Sequence, residues 1–247
     1  MERNEKDILI KVEHVTMNYR MPTQKVDSLK EYVIRFLKRK LKYREFNVLN
    51  DVSLNIYRGE SVAIVGRNGA GKSTLLRIVA GIIPPTSGKV TINGTMVPML
   101  NIGAGFDYDA TGRENIFLNG AILGHTKKEM EEKYDDIVKF AELEDFMEIP
   151  IKNYSSGMTA RLGFAIAVNN RPDIIIVDEV LAVGDSAFHE KCSAKMKELQ
   201  QSGVTFVIVS HSKAAVKMLC ERAIYIKDRK IALDGDIDTV YAAYEKQ

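Results

Sequence analysis

Near the start of the chain the spacing of apolar positions changes and then changes back. Ile8–Tyr19 alternates apolar and polar residues, the two-residue period of a half-buried strand. Over Leu29–Tyr43 the apolar residues fall at Leu29, Val33, Phe36, Leu37 and Leu41, which share one face of a helix. Strand patterning returns in Val48–Ile56 and Glu60–Val65, on either side of Arg58-Gly59. Ser61-Val-Ala-Ile-Val then meets a glycine-rich stretch, after which Leu75, Leu76, Ile78 and Val79 predict a helix running to Gly81. Pro84-Pro85 breaks the pattern, and Asn93-Gly94 between apolar alternations predicts a β-hairpin over 90–97. Thr126 with Glu129 forms a capping-box pair, opening a helix that turns Met130, Tyr134, Ile137, Val138 and Ala141 inward. Further on, Ile174–Val177, Phe206–Val209 and Ile224–Ile226 are short apolar runs between helical stretches. Strands alternating with helices predict a largely parallel α/β sheet.

Composition changes this picture little. At 247 residues the chain is long enough for one well-cored domain with a helical insertion, and 45% hydrophobic with 28% charged residues is ordinary for a globular protein. No apolar run approaches the roughly 20 residues that cross a bilayer. The N-terminus lacks the hydrophobic stretch of a secretory signal, so none is expected. Cys192 and Cys220 fit neither a zinc spacing nor a disulfide framework and read as free thiols in a reducing cytosol. Charge is more informative. Lys30–Arg44 holds seven basic residues against one acid, so this segment carries +6 while the whole chain carries +2, leaving the remainder near −4.

Two segments carry candidate chemistry. Gly66-Arg67-Asn68-Gly69-Ala70-Gly71-Lys72-Ser73, followed by Thr74, matches the phosphate-loop pattern G-x-x-x-x-G-K-[ST]. Glycines let the backbone fold close around phosphate with successive N–H groups aimed at the anion, and the following helix adds its positive end. Lys72 then serves the β- and γ-phosphates, and the Ser73 hydroxyl serves Mg²⁺. The alternative, a glycine-rich turn made only for tight packing, is disfavoured because the match falls between an apolar strand and a helix. The second segment, Arg171–Glu179, is an apolar strand ending in two acids. So hydrophobic a strand belongs in the sheet centre, with its carboxyl end at the crevice where ligands bind. Asp178 is placed to hold Mg²⁺ and Glu179 to orient an attacking water, although taken alone the pair also suits a helix cap.

Other motifs narrow the class. Tyr154-Ser155-Ser156-Gly157-Met158 lies about 20 residues before the acidic strand, and Ser210-His211 about 30 after it. With Val183-Gly184-Asp185, these resemble the signature loop, switch histidine and D-loop of ATP-binding-cassette proteins, over nearly the whole chain from Ile8 to Tyr244. The resemblance implies one ABC-type P-loop ATPase domain over 1–247. It would have a RecA-like parallel core, an antiparallel β element at the N-terminal side and a helical subdomain around 107–170. It also implies ATP and Mg²⁺ as ligands and a homodimer whose Ser155, Ser156, Gly157 and Met158 meet the γ-phosphate held by the opposite copy. His211 would contact that phosphate and the water, Asp185 would mark the D-loop, and Tyr19 would stack on adenine, although an aromatic ending a strand is commonly just core.

Tyr-Ser-Ser-Gly-Met in place of Leu-Ser-Gly-Gly-Gln, Gly103-Ala-Gly-Phe followed by Thr111-Gly-Arg-Glu-Asn, and Val180–Asp185 with Phe188 and Lys191-Cys192 refine the likeness. The set resembles cassettes that export lipid-linked polysaccharides such as teichoic acids and O-antigens. That implies a separate transmembrane permease, a place at the cytoplasmic face of the membrane reached through that permease, and no nucleic-acid partner. The glutamine expected ahead of the helical subdomain is missing, with Asn101 or Ile102 in its neighbourhood. The basic insertion over 21–46 reads three ways: a solvated surface helix, a nucleic-acid contact, or a helix at the membrane face that receives the pyrophosphate of a lipid-linked glycan. Two rivals remain: a soluble cassette ATPase acting on nucleic acid or ribosomes, which an uninterrupted single cassette disfavours, and a drug or nutrient cassette, which the altered signature disfavours.

Overall fold

A computed structural model describes residues 7–22, 43–100, 102–103, 105–178, 185–210 and 212–246. In chain order the strands are β1 (Ile8–Pro22), β2 (Tyr43–Tyr57) and β3 (Ser61–Val65); helix α1 (Lys72–Val79) follows, then β4 (Ser87–Ile92) and β5 (Met96–Met99). Three helices come next, α2 (Gly112–Ile122), α3 (Lys127–Ala141) and α4 (Ser156–Asn169). The chain closes with β6 (Ile174–Asp178), α5 (Ser186–Gln201), β7 (Thr205–Val209), α6 (Lys213–Leu219), β8 (Arg222–Lys227), β9 (Lys230–Asp236) and α7 (Ile237–Glu245).

Two sheets result. The larger has the order β5-β6-β7-β3-β8-β9, parallel throughout except for β9, which runs antiparallel to β8. The smaller is antiparallel, in the order β2-β1-β4. Because successive strand residues point to opposite faces, the central strands feed two cores. Val62, Ile64, Ile174, Ile176, Val207, Val209, Ile224 and Ile226 face α1 and the small sheet. Ala63, Val65, Ile175, Val177, Phe206, Ile208, Ala223 and Tyr225 face residues of α4, α5 and α7. A third core, with Ile116, Met130, Ile137 and Leu162, joins α2, α3 and α4. The fold is thus the parallel α/β core with an antiparallel element expected from the sequence.

Four readings need correcting or bounding. Asn93-Gly94 is not a hairpin turn: β4 pairs with β1 while β5 pairs with β6, so these residues carry the chain from one sheet to the other. The Asn93 side chain donates to the carbonyl of Ile8 at 2.9 Å, and a Cβ on Gly94 would meet Asp173 at 2.9 Å. Tertiary contacts have overridden a local turn preference. The hairpin of β1 and β2 is longer than its alternation predicts, pairing Pro22 with Tyr43, so Tyr43 and Arg44 are strand residues and not the end of a basic helix. The rest of that helix lies outside the described residues. Strand β9, whose exposure alternates along its length, was missed. The Thr126–Glu129 capping box is present, and of its inward set Met130, Ile137, Val138 and Ala141 are buried while Tyr134 is half-buried.

Candidate nucleotide site

Strand β3 is buried at every residue and delivers the chain to Gly66. Two glycines there are demanded by space. A Cβ on Gly66 would lie 2.5 Å from the Ile226 carbonyl oxygen. Gly71, at φ 105°, would put a Cβ 2.7 Å from Leu49 Cδ2 and 2.8 Å from the Val48 carbonyl oxygen. The loop is therefore pressed against β8 on one side and β2 on the other, and Gly71 caps α1 in the left-handed conformation. The Lys72 ammonium reaches back over the loop, donating to the carbonyls of Gly66 at 2.7 Å and Arg67 at 3.2 Å. With its stem buried, that charge is held where a phosphate would sit.

A cavity of about 430 Å³ opens over this loop. It is lined by Asn68, Gly69, Gly71, Lys72, Ser73 and Thr74, by Asp178 at the end of β6, and by Phe46, Val48 and Val209. Asp178 pairs with Val209 in the parallel ladder, which sets its carboxylate at the carboxyl edge of the sheet beside the loop. Arg67, Gly69 and Ala70 also border an adjoining cavity of about 290 Å³ with Asp228 and Arg229. Ser73 and Asp178 offer a hydroxyl and a carboxylate to one space, the hard oxygen donors that suit Mg²⁺, which keeps its waters and takes few protein ligands. Among the described residues no group of three or more His, Cys, Asp or Glu forms an all-protein metal cage. Glu179 and His211 lie outside the described residues.

Other motif residues sit elsewhere. Tyr19 is half-buried on β1 against the core under the small sheet and is not among the residues lining the phosphate-loop cavity. Phe46 and Val48, which do line it, escaped the sequence reading. Val48 opens the recognised strand, and the signal for Phe46 was an apolar residue two positions ahead of it. Ser155 caps α4, its hydroxyl accepting the Met158 N–H at 3.2 Å, and both Ser155 and Ser156 are exposed. Tyr154 anchors the approach, donating its hydroxyl to the Phe146 carbonyl at 2.7 Å, and burial pushes its phenol up to about 12. Gly157 has an ordinary φ and open space: a Cβ there would meet only Ser155 Oγ, at 3.7 Å.

Asp185 caps α5, accepting the Phe188 N–H at 3.0 Å, and accepts a second bond from Arg161 of α4 at 2.7 Å. The bond to the Phe188 N–H, with Arg161 assisting, holds its carboxyl below the usual carboxylate range. Arg161 also pairs with Glu142 and lies over the Phe188 ring at 4.6 Å, while Lys191 pairs with the same Glu142 at 2.8 Å. Thus Phe188 joins α5 to α4, and Lys191 joins α5 to the end of α3. The Thr111–Asn115 motif is likewise architectural. Thr111 and Glu114 make a capping box on α2, and the buried Asn115 amide binds the backbone of Asp107, Ala110 and Thr111. Cys192 and Cys220 are free and buried, which pushes both thiols up to about 12.

A glycine loop of this build, between a central strand and a helix with an acidic strand end beside it, defines the P-loop class of nucleotide-binding proteins. Within that class the chain belongs to the ABC transporter family, whose sequence pattern matches residues 49–182. It is 41% identical over 240 residues to the O-antigen export system ATP-binding protein RfbB of Klebsiella pneumoniae, covering 96% of this chain and 98% of that one. It is 42% identical to the teichoic acids export ATP-binding protein TagH of Listeria innocua, over 98% of this chain and 71% of that one. Among solved structures it is similar to the dimeric ATP-binding cassette MJ0796 in a post-hydrolysis state bound to ADP and Pi. That likeness has a TM-score of 0.72 and 26% identity, over 92% of this chain and 98% of that chain.

Proposed function

We propose that this chain is the ATP-hydrolysing subunit of an ABC transporter that exports a lipid-linked cell-envelope polysaccharide of the O-antigen or teichoic-acid type. It works as a homodimer at the cytoplasmic face of the membrane, driving a separate permease. The observation that carries the reading is identity above 40%, from end to end, to a protein named for O-antigen export. No helix among the described residues is long and apolar enough to cross a membrane, which fits a subunit attached through a partner.

The mechanism follows from the placement of charge. Loop N–H groups and Lys72 bind the β- and γ-phosphates, and the start of α1 adds its dipole. Ser73 and Asp178 would hold Mg²⁺, which would supply charge neutralisation at the phosphates. Glu179 orients water for in-line attack on the γ-phosphorus, and His211 steadies the phosphate oxygen and that water. Ser155–Met158 of the opposite copy close the site. Two features support this last step: none of the four lines its own chain's phosphate cavity, and neither φ nor space within the chain calls for glycine at position 157.

Helices α2–α4 serve as the helical subdomain, within 107–170. An apolar groove of about 320 Å³ between β5, α2 and α4, with Ile82 and Ile122 exposed at its rim, receives a cytoplasmic segment of the permease. The basic stretch Lys30–Arg44 approaches the lipid-linked pyrophosphate. In the native cell, Lys72→Ala is expected to stop surface display of the glycan and to accumulate its lipid-linked form inside. Undiminished display on cells whose only copy carries Lys72→Ala would refute the role in export.

A further inference from the structure

The phosphate loop lies at the carboxyl end of β3, and the amino end of that strand borders a second cavity, of about 650 Å³. Three short polar stretches frame it. Gly59-Glu60-Ser61 leads into β3, Glu221-Arg222 into β8, and Asp234-Gly235-Asp236 leaves β9 for α7. Gln200, in the last turn of α5, closes the fourth side. Helices α5 and α6, which precede β7 and β8, both end at this edge and turn their negative ends toward it. Helix α7 starts here instead, and Asp236 offsets its positive end by accepting the Thr239 N–H at 2.9 Å.

Charge in the cavity is unbalanced. Among the described lining residues Arg222 is the one cation, against Glu60, Glu221, Asp234 and Asp236. Arg222 is already committed. It donates to both oxygens of Asp234 at 2.6 Å, to Glu60 at 3.1 Å and to the Asn55 carbonyl at 3.0 Å. Two carboxylates share one guanidinium, so this triad keeps one net negative charge, and the Arg222 and Glu60 side chains are only 13% and 15% exposed. Glu221 is exposed and has no partner among the described residues.

Hydrogen bonding is unbalanced in the same direction. Ser61 shares the face of β3 that turns Ala63 and Val65 toward α5 and α7, and it lines the cavity. It is 6% exposed, yet its hydroxyl has no hydrogen-bond partner, a costly arrangement for a buried polar group. Gln200 spends its amide N–H on the Leu219 carbonyl at 3.0 Å, which leaves Oε1 to accept. What the walls lack is a positively charged donor. A bare metal ion does not meet that need, because among the described residues no group of three or more His, Cys, Asp or Glu is placed to hold one. The carboxylates are instead spread around a space wide enough for a small organic molecule.

We propose that this cavity binds a small organic polycation through its alkylammonium groups. Glu221 and Asp236 supply the opposing charge, and the Ser61 hydroxyl and Gln200 Oε1 accept hydrogen bonds. The length of β3 separates this site from the phosphate loop, so the two are tested apart.

Spermidine is the probe, titrated by calorimetry into the full chain without nucleotide, with Tm followed at constant ionic strength. Tetramethylammonium, which carries charge but no N–H, and Mg²⁺ control for charge alone. Spermidine should bind saturably and raise Tm, and neither control should reproduce the rise. Glu221→Gln combined with Asp236→Asn, which keeps a capping oxygen, should raise the Kd for spermidine by about tenfold or more. Glu221→Lys carries an ammonium on the chain itself, so it should weaken spermidine binding by more than about tenfold without lowering Tm. Glu132→Gln, on the exposed acidic face of α3, should leave Kd within about twofold.

Absence of saturable spermidine binding to the wild-type chain overturns the assignment. Equal stabilisation by either control, or a Kd unchanged in Glu221→Lys, also overturns it and leaves only screening of surface charge. Should the double variant fail to fold, Glu221→Lys, changed at an exposed position, decides the matter.

Discussion

Gly157 shows how a single residue can report on something outside its own chain. Gly66 and Gly71 are explained locally, since any side chain there would strike backbone or core. Gly157 has no such reason, and its neighbour Ser155 caps the helix through one acceptor lone pair. A position that tolerates a side chain in the monomer yet lies in the signature loop fits a close approach by a second molecule. Lys72 is the complementary case, a buried stem with its ammonium turned back on the loop carbonyls of Gly66 and Arg67. At this scale the mechanism makes a sharp statement about Glu179. Glu179→Gln keeps the size of the side chain but removes the base, so Mg·ATP affinity should stay within about threefold while turnover falls by roughly 10²–10⁴. Single-turnover hydrolysis alongside equilibrium binding checks this, and turnover near the wild-type rate would remove Glu179 from the reaction.

The phosphate loop and the acidic strand were legible in the sequence because each is a local motif whose chemistry and neighbours are contiguous. The elements around them were less so. Asn93-Gly94 has the composition of a tight turn, yet bonds from Asn93 to Ile8 and Leu9, far away in sequence, straighten it into a crossing between sheets. Phe46 was hidden for a related reason: its place over the loop depends on a ladder whose strands are joined by 20 residues, a register no short window contains.

The joint between α4 and α5 was visible only as unexplained motif residues until Arg161 was seen bonded to Glu142 and Asp185. That joint makes the start of α5 sensitive to acid. Asp185 is more acidic in the folded chain than in the unfolded one, so its contribution to stability is complete above the ordinary carboxylate value of about 4 and is lost as pH falls through the lowered folded value. Urea midpoints of wild type and Asp185→Ala should therefore differ at pH 7 and draw together as the pH falls below about 4. A gap that persists undiminished at pH 3 would mean that Asp185 acts through packing and not through its charge.

At the scale of the whole molecule, the phosphate cavity on the large sheet and the exposed cap of α4 are two halves that one chain does not bring into a single cavity. The parallel sheet presents its carboxyl edge, with the Gly66–Thr74 loop and Asp178, as one half. The helical cluster, with its own core, presents Ser155–Met158 as the other. The central claim is that hydrolysis occurs where these halves meet across a dimer, and complementation tests it most directly. Lys72→Ala disables the first half. Gly157→Asp disables the second by setting a carboxylate against the γ-phosphate, at a position where the chain itself has room for a side chain and where an acid suits the start of a helix. Each variant alone should be inactive. Mixed, they form dimers with one doubly damaged site and one intact site, so ATPase activity should return, while the same two substitutions on one chain mixed with wild type should give mixed dimers with no intact site. Activity that stays at the level of the single variants on mixing, in samples shown to contain the mixed dimer, would contradict a shared site.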